Sequence, residues 1–192
     1  MRKIILYMQI SLDGIVSDVN QWMTLSDEIV EDALESYDTV DTIVVGGNTY
    51  PSMAEYWQNA ETSSDSDLER SVAKRINEMK KVVISRSQIT NLVWNNSQQL
   101  VIDDSESFVR EIKNLKNREG KNISVESGVK TWQLFLQHSL FDEMWLLVHP
   151  VVAVQGEKLF THVETKFSLQ LSDSKIYKNG VVGLHYQKIE NS

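Results

Sequence analysis

The stretch Thr42-Ile43-Val44-Val45-Gly46-Gly47-Asn48-Thr49-Tyr50-Pro51-Ser52-Met53 decides how this chain is read. Four β-branched residues in a row form a buried strand. Paired glycines end it, and Asn48 or Thr49 with nearby Pro51 opens a short helix. A second strand–glycine–helix corner follows at Ile123-Ser124-Val125-Glu126-Ser127-Gly128-Val129-Lys130-Thr131-Trp132. At both corners the missing Cβ lets backbone come close to a ligand at a helix N-terminus. There, free N–H groups and the positive dipole end suit a phosphate. Ordinary βα turns have the same spacing, so both readings stay open at this point.

Outward from these corners the same alternation repeats. Ile4 to Met8 reads as a first buried strand, Lys81 to Ile84 as another, and Leu100 to Ile102 and Met144 to Val148 as two more. Helical spacing places Ile29, Val30, Ala33, Leu34 and Tyr37 on one face, with Asp27 and Glu28 in the first turn where the dipole favours anions. Leu68, Val72, Ile76 and Met79 mark a second helix. Phe108, Val109, Ile112 and Leu115 mark a third with Asp104 or Ser105 as N-cap, and Val129, Trp132, Phe135 and Leu136 mark a fourth. Near the C-terminus, Asn179-Gly180 between Lys175–Lys178 and Val181–Tyr186 predicts a hairpin with a type I′ turn. The acidic, serine-rich Glu61–Asp67 reads as a surface loop. The expected fold class is α/β: a single domain over residues 1–192, with a mostly parallel central sheet finished by a C-terminal antiparallel hairpin.

Composition removes several functions. The 192 residues contain no cysteine, which excludes thiolate catalysis, disulfides and thiolate zinc sites. The formal net charge is −8, without a lysine or arginine cluster, so nucleic acid is not an expected partner. The charged start before Ile4 is cut short by Gln9 and Ser11-Leu12-Asp13-Gly14 and is not a signal peptide. The longest apolar run, Met144–Val154, contains His149 and Pro150 and is shorter than the ~20 residues of a membrane span. A cytoplasmic protein without membrane contact is the expectation. His138, His149, His162 and His185 lack metal-ligand spacing, and His149 in its apolar strand reads as a satisfied core residue. Neither G-x-G-x-x-G nor a P-loop occurs.

One further segment carries chemistry. Lys81-Val82-Val83-Ile84 ends in Ser85-Arg86-Ser87, a guanidinium flanked by two hydroxyls at a strand C-terminus, where α/β sheets gather ligands. Such a group holds a terminal phosphate by charge-assisted hydrogen bonds. A surface arginine is the competing reading.

Taken in order, Ser11-Leu12-Asp13-Gly14, the Gly46–Tyr50 corner, the Val83–Ser87 strand end, Glu126-Ser127-Gly128, Leu140-Phe141-Asp142-Glu143-Met144 and Pro150-Val151-Val152…Gly156-Glu157-Lys158-Leu159-Phe160 form a set. The set resembles the dihydrofolate reductase-like superfamily, in particular the group related to the C-terminal reductase domain of the bifunctional riboflavin-biosynthesis deaminase-reductase, from about residue 2 to residue 188. The resemblance implies a three-layer fold and an NADPH-dependent reductase acting on a small heterocyclic or ribosylaminopyrimidine-type substrate, as a homodimer. It places Gly46, Gly47, Asn48 and Thr49 on the pyrophosphate side, and Ser85, Arg86 and Ser87 at the ribose 2′-phosphate. Ser127, Gly128, Val129, Lys130 and Thr131 would meet the pyrophosphate and nicotinamide ribose, and Asp13 through Val16, Gly14 included, would lie beside the nicotinamide. Glu126 matches an acidic residue close to substrate in that group, so Glu126 and Asp13 are the expected proton-delivery residues. Asp27, near Trp22, is a candidate for binding substrate, and its place in a first helical turn also suits a dipole partner. Gly47-Asn48 stands where the family usually has a basic residue after the first glycine, and Ser127-Gly128 stands for its paired glycines. A nucleotide-binding protein without turnover is the alternative expectation, and a flavin-binding α/β protein is a third.

Overall fold

Apolar runs without alternation need cover on both faces, and most of these runs become interior strands packed between two helical layers, whereas Leu100 and Val101 end in the edge strand. The computed structural model describes residues 1–164 and 166–189. Its strands are β1 (Ile4–Ser11), β2 (Val40–Gly46), β3 (Lys80–Ser85), β4 (Ser97–Val101), β5 (Asn122–Val125), β6 (Glu143–His149), β7 (Ser168–Ile176) and β8 (Val182–Ile189). They form one eight-stranded sheet in the order β4-β3-β2-β5-β1-β6-β8-β7. The first six are parallel to their neighbours, while β6 pairs with β8 and β8 with β7 antiparallel. The α/β class, the mostly parallel sheet and the antiparallel C-terminal strands are as read.

Alternate residues of each strand face opposite layers. Ile4, Leu6, Met8, Ile123, Val125 and Met144 share a core with Phe108, Ile112 and Leu115 of α4 (Ser105–Lys116) and Trp132, Phe135 and Leu136 of α5 (Val129–Gln137). On the other side Ile5, Ile43, Val45 and Val83 pack with Tyr50 and Ala54 of α2 (Tyr50–Ser63) and Val72 and Ile76 of α3 (Asp67–Glu78). The remaining helix, α1 (Asp27–Ser36), lies on this second side, where Ile29 meets Leu147, Tyr177 and Val181. Asp104 caps α4 in a capping box with Ser107, as the spacing implied.

Two expectations need correction. Glu61–Asp67 is not a loop: Glu61 to Ser63 end α2, and the Ser66 hydroxyl caps α3 by accepting the Glu69 amide at 3.2 Å. Serine and aspartate suit helix caps as well as loops, and composition does not separate the two. The hairpin turn is not type I′, because Gly180 has φ +85° while Asn179 is not among the positive-φ residues. Tyr177 accepts the Gly180 amide at 2.9 Å and donates to Val181 at 2.9 Å, which makes a three-residue loop with glycine in the left-handed position. β6 lies inside the sheet between β1 and β8. The exposed strand is β7, at the sheet edge.

Candidate functional site

Adjacent parallel strands β2 and β5 send the chain in opposite directions. From β2 it runs over one face through α2 and α3 to β3, and from β5 it runs over the other face through α5 to β6. Such a switch point opens a crevice outside the carboxyl ends of the strands. Both glycine corners lie there.

Their geometry differs from an open amide cradle. The Gly46 amide donates to Ser127 Oγ at 2.8 Å, the Gly128 amide to Thr49 Oγ1 at 3.2 Å, and the Gly47 amide to the Ile84 carbonyl at 2.7 Å. A Cβ on Gly46 would stand 2.3 Å from Thr131 Oγ1, one on Gly128 2.9 Å from Thr49 Oγ1, and one on Gly47 2.8 Å from Ser85 Cβ. These glycines let protein approach protein, not ligand, which corrects the reading of them as bare backbone for a phosphate. Ser127, Thr131 and Thr49 instead bring a hydroxyl cluster to the crevice, with Ser127 Oγ donating to Thr131 Oγ1 at 3.1 Å. Val129 is buried in the core, whereas Asn48 and Lys130 are exposed. The amides of Val129 and Lys130, first in α5, have no acceptor among the described residues.

At the next strand end, Ser85 Oγ donates to the Ser87 carbonyl at 2.6 Å, and Gln99 of β4 donates to that carbonyl at 2.7 Å. Gln99 also accepts the Ile89 amide at 3.0 Å, so one side chain shapes the whole loop. Arg86 is exposed at its tip and has no hydrogen bond or ion pair among the described residues.

Asp13 has a different task from proton delivery. Its carboxylate accepts from the Ser11 hydroxyl at 2.7 Å and from the amides of Ala153 and Val154, each at 3.0 Å. The Ser11 and Ala153 bonds, the largest causes, help pull its pKa down to about 2. A carboxylate so held stays ionised and clamps the β1–α1 connection to the loop after β6. Val154 of that loop has φ +67°, a conformation a β-branched residue seldom takes. Gly14, at φ +88°, turns the clamped segment, while Val16 is buried in the core instead of lining the crevice.

Glu126 fits the acid role. Buried at the end of β5, it accepts from Tyr37 Oη and Ser124 Oγ, each at 2.8 Å. Burial, the largest influence, raises its pKa against the lowering effect of those two bonds. Ser124 and Glu126, two apart on one strand, necessarily share a face, and this spacing was a signal in the sequence. Tyr7 and Gln9, polar positions inside an apolar strand, gave another.

Of the two substrate candidates, Trp22 donates from Nε1 to the Ser17 carbonyl at 2.9 Å and meets His149 edge-on, with centroids 5.5 Å apart. Asp27 is exposed at the start of α1 without a side-chain partner among the described residues, which is the dipole-partner geometry. His149 is fully buried and satisfied: Nδ1 accepts the Thr24 amide at 3.3 Å, so Nε2–H donates to Gln9 Oε1 at 2.7 Å. Among the described residues no cluster of His, Asp or Glu is arranged to hold a metal, and no helix is long and apolar enough to cross a membrane.

The family model for the RibD C-terminal domain matches residues 2–183. The uncharacterized protein YyaP of Bacillus subtilis is 29% identical over 188 residues, covering 96% of this chain and 94% of that protein. Among solved structures, a putative riboflavin biosynthesis protein from Shewanella sp. PV-4 superposes with TM-score 0.68 at 18% identity, over 98% of this chain and 99% of that one. A diaminohydroxyphosphoribosylaminopyrimidine deaminase/5-amino-6-(5-phosphoribosylamino)uracil reductase from Thermotoga maritima superposes with TM-score 0.62 at 15% identity. There the match covers 98% of this chain and 57% of the longer protein. At these identities the solved structures establish the fold alone.

Proposed function

This chain belongs to the RibD C-terminal domain family, the dihydrofolate reductase-like reductase group, and we propose that it is an NADPH-dependent reductase of a small heterocyclic or ribosylaminopyrimidine-type substrate. The observation that carries this reading is a buried carboxyl with a raised pKa, Glu126, at the switch-point crevice. An enzyme that delivers a proton after hydride transfer needs such an acid near neutral pH. The residues fit the cofactor in part. Arg86, without a partner among the described residues and flanked by Ser87, would meet a ribose 2′-phosphate. The Val129 and Lys130 amides and the Thr131 and Thr49 hydroxyls, in place of the glycine backbone, would hold the pyrophosphate. When bound, the nicotinamide supplies the hydride; this chain orients it and keeps water out.

The Thermotoga protein is described as a 5-amino-6-(5-phosphoribosylamino)uracil reductase, which makes that substrate class the first to test. Oxidation of NADPH followed with ribosylaminopyrimidines and pterins decides the matter, and turnover lost in Glu126→Gln is the expected result. Absence of oxidation across both classes, with cofactor still bound, would establish the second reading, a nucleotide-binding protein without turnover. One observation favours that alternative: the Gly46 and Gly128 amides are already engaged by Ser127 and Thr49. The reading includes a cytoplasmic homodimer, with the exposed edge strand β7 as the surface left to pair.

A further inference from the structure

Strand β5 ends at Val125, whereas its neighbour β1 runs on to Ser11, so the last part of β1 flanks the switch-point crevice. Gln9 stands on this overhang. Its partner in β6 is Leu147, which packs on Ile29 of α1, so the Gln9 side chain rises on the α1 face of the sheet. Glu126 is on the same face, where Tyr37 from the end of α1 bonds it. Since Leu6 pairs with Val125, Gln9 lies just beyond Glu126 in the strand direction, and it is half-buried there.

A backbone amide from the segment before α1 decides which end of the Gln9 amide is left to bind. The Thr24 N–H donates to His149 Nδ1 at 3.3 Å, so that nitrogen carries a lone pair. His149 is fully buried, which keeps the ring neutral with its hydrogen on Nε2. Nε2 lies 2.7 Å from the Gln9 side chain, and only an oxygen can accept there; the reversed amide would set N–H against N–H. Gln9 therefore has its oxygen spent and two hydrogens to give. Among the described residues its NH₂ has no acceptor other than the Tyr7 hydroxyl, which can take one of them. The second N–H is a donor without a protein partner, next to the buried acid. Such a donor rewards an acceptor on the ligand and penalises a donor in the same place.

We propose that Gln9 is the specificity residue of this crevice, its unpaired N–H reading a ring carbonyl of the substrate and rejecting an amino group at that position. The inference rests on the reading of the crevice as the site of a heterocyclic substrate. It narrows that class to an oxo-pyrimidine of the uracil type, in preference to an aminopyrimidine. His149 and Thr24 hold the Gln9 amide in the sense that this selection needs.

Calorimetric titration tests this without turnover. The probes are 5-amino-6-ribosylaminouracil and its two analogues in which an amino group replaces one ring carbonyl or the other. The wild-type chain should bind the uracil about 10- to 100-fold more tightly than one of the analogues, the cost of setting donor against donor. Gln9→Glu keeps an oxygen for His149 Nε2–H but loses the NH₂, so it should favour that analogue over the uracil. Gln9→Met, which brings no charge near Glu126, should bind the two alike. Equal binding of all three probes by the wild type, or binding of none, overturns the inference, as does selectivity unchanged in both variants. Oxidation of NADPH is followed separately. Selective binding without oxidation sinks the reductase reading and leaves the role of Gln9 standing.

Discussion

The Ser127 hydroxyl accepts the Gly46 amide at 2.8 Å, and through it two corners 81 residues apart in sequence are locked together. Thr131 completes the lock by filling the space beside Gly46. The corner is thus a packed joint, and its glycine is there for the close approach of another segment.

Gly46→Ala places a Cβ 2.3 Å from Thr131 Oγ1 and should destabilise the fold by about 1–3 kcal/mol, the usual cost of overpacking. Thr131→Ala in the same chain removes the clashing atom and should recover most of the loss. Thermal melts of both single variants and the double measure this coupling.

Arg86 has no partner among the described residues, so Arg86→Ala should leave stability unchanged within about 0.5 kcal/mol. It should weaken NADPH binding by roughly 1.5–3 kcal/mol, the worth of a charge-assisted bond, while leaving NADH affinity alone. Quenching of tryptophan fluorescence by each cofactor is the measurement. Equal affinities in the wild-type chain would remove Arg86 from the 2′-phosphate site.

Burial raises the folded pKa of Glu126 above 4.5. A raised value means the folded chain holds a proton that the unfolded chain has lost. Its contribution to stability is present below about pH 4.5 and disappears as pH rises through the raised value. Glu126→Gln, which carries no charge, should flatten that part of the stability profile and gain on the wild type toward alkaline pH. The same variant should lose about 10²–10⁴-fold in turnover. Urea unfolding at a series of pH values, set beside the oxidation assay, reads both effects.

Asp13 works in the opposite sense. Its folded pKa lies at about 2, below the ordinary 3.8, so its contribution is complete above about pH 4 and lost as pH falls through 2. Asp13→Asn should remove this acid-side dependence and loosen the loop at Val154, where the carboxylate helps hold a positive φ. Amide exchange of Ala153 and Val154 should rise in the variant; unchanged protection would show that the loop holds its shape alone.

Much of the fold was legible because each buried strand is a short apolar run and each helix carries its apolar stripe. Of the two caps offered for α4, Asp104 or Ser105, the structure uses Asp104. Misreadings came where one composition serves two structures. Ser66 and its acidic neighbours make a helix cap as readily as a loop, and Asn179-Gly180 fits both a two-residue and a three-residue hairpin loop. In the site, Arg86 was singled out at a strand end, and Glu126 only by the resemblance of its corner to the family. Tyr37 and Gln99 were not singled out, since their parts depend on contacts across 89 residues and across a strand pair.

By itself the sequence determined the layers, the parallel strands and the ends at which loops gather, since these follow from local periodicity and turn chemistry. Only the tertiary structure decided which polar groups remain available. Ionisation depends on burial, and hydrogen-bond partners arrive from distant strands. Hence Asp13 emerged as a spent clamp, Glu126 as a buried acid, and the corner glycines as seats for neighbouring hydroxyls.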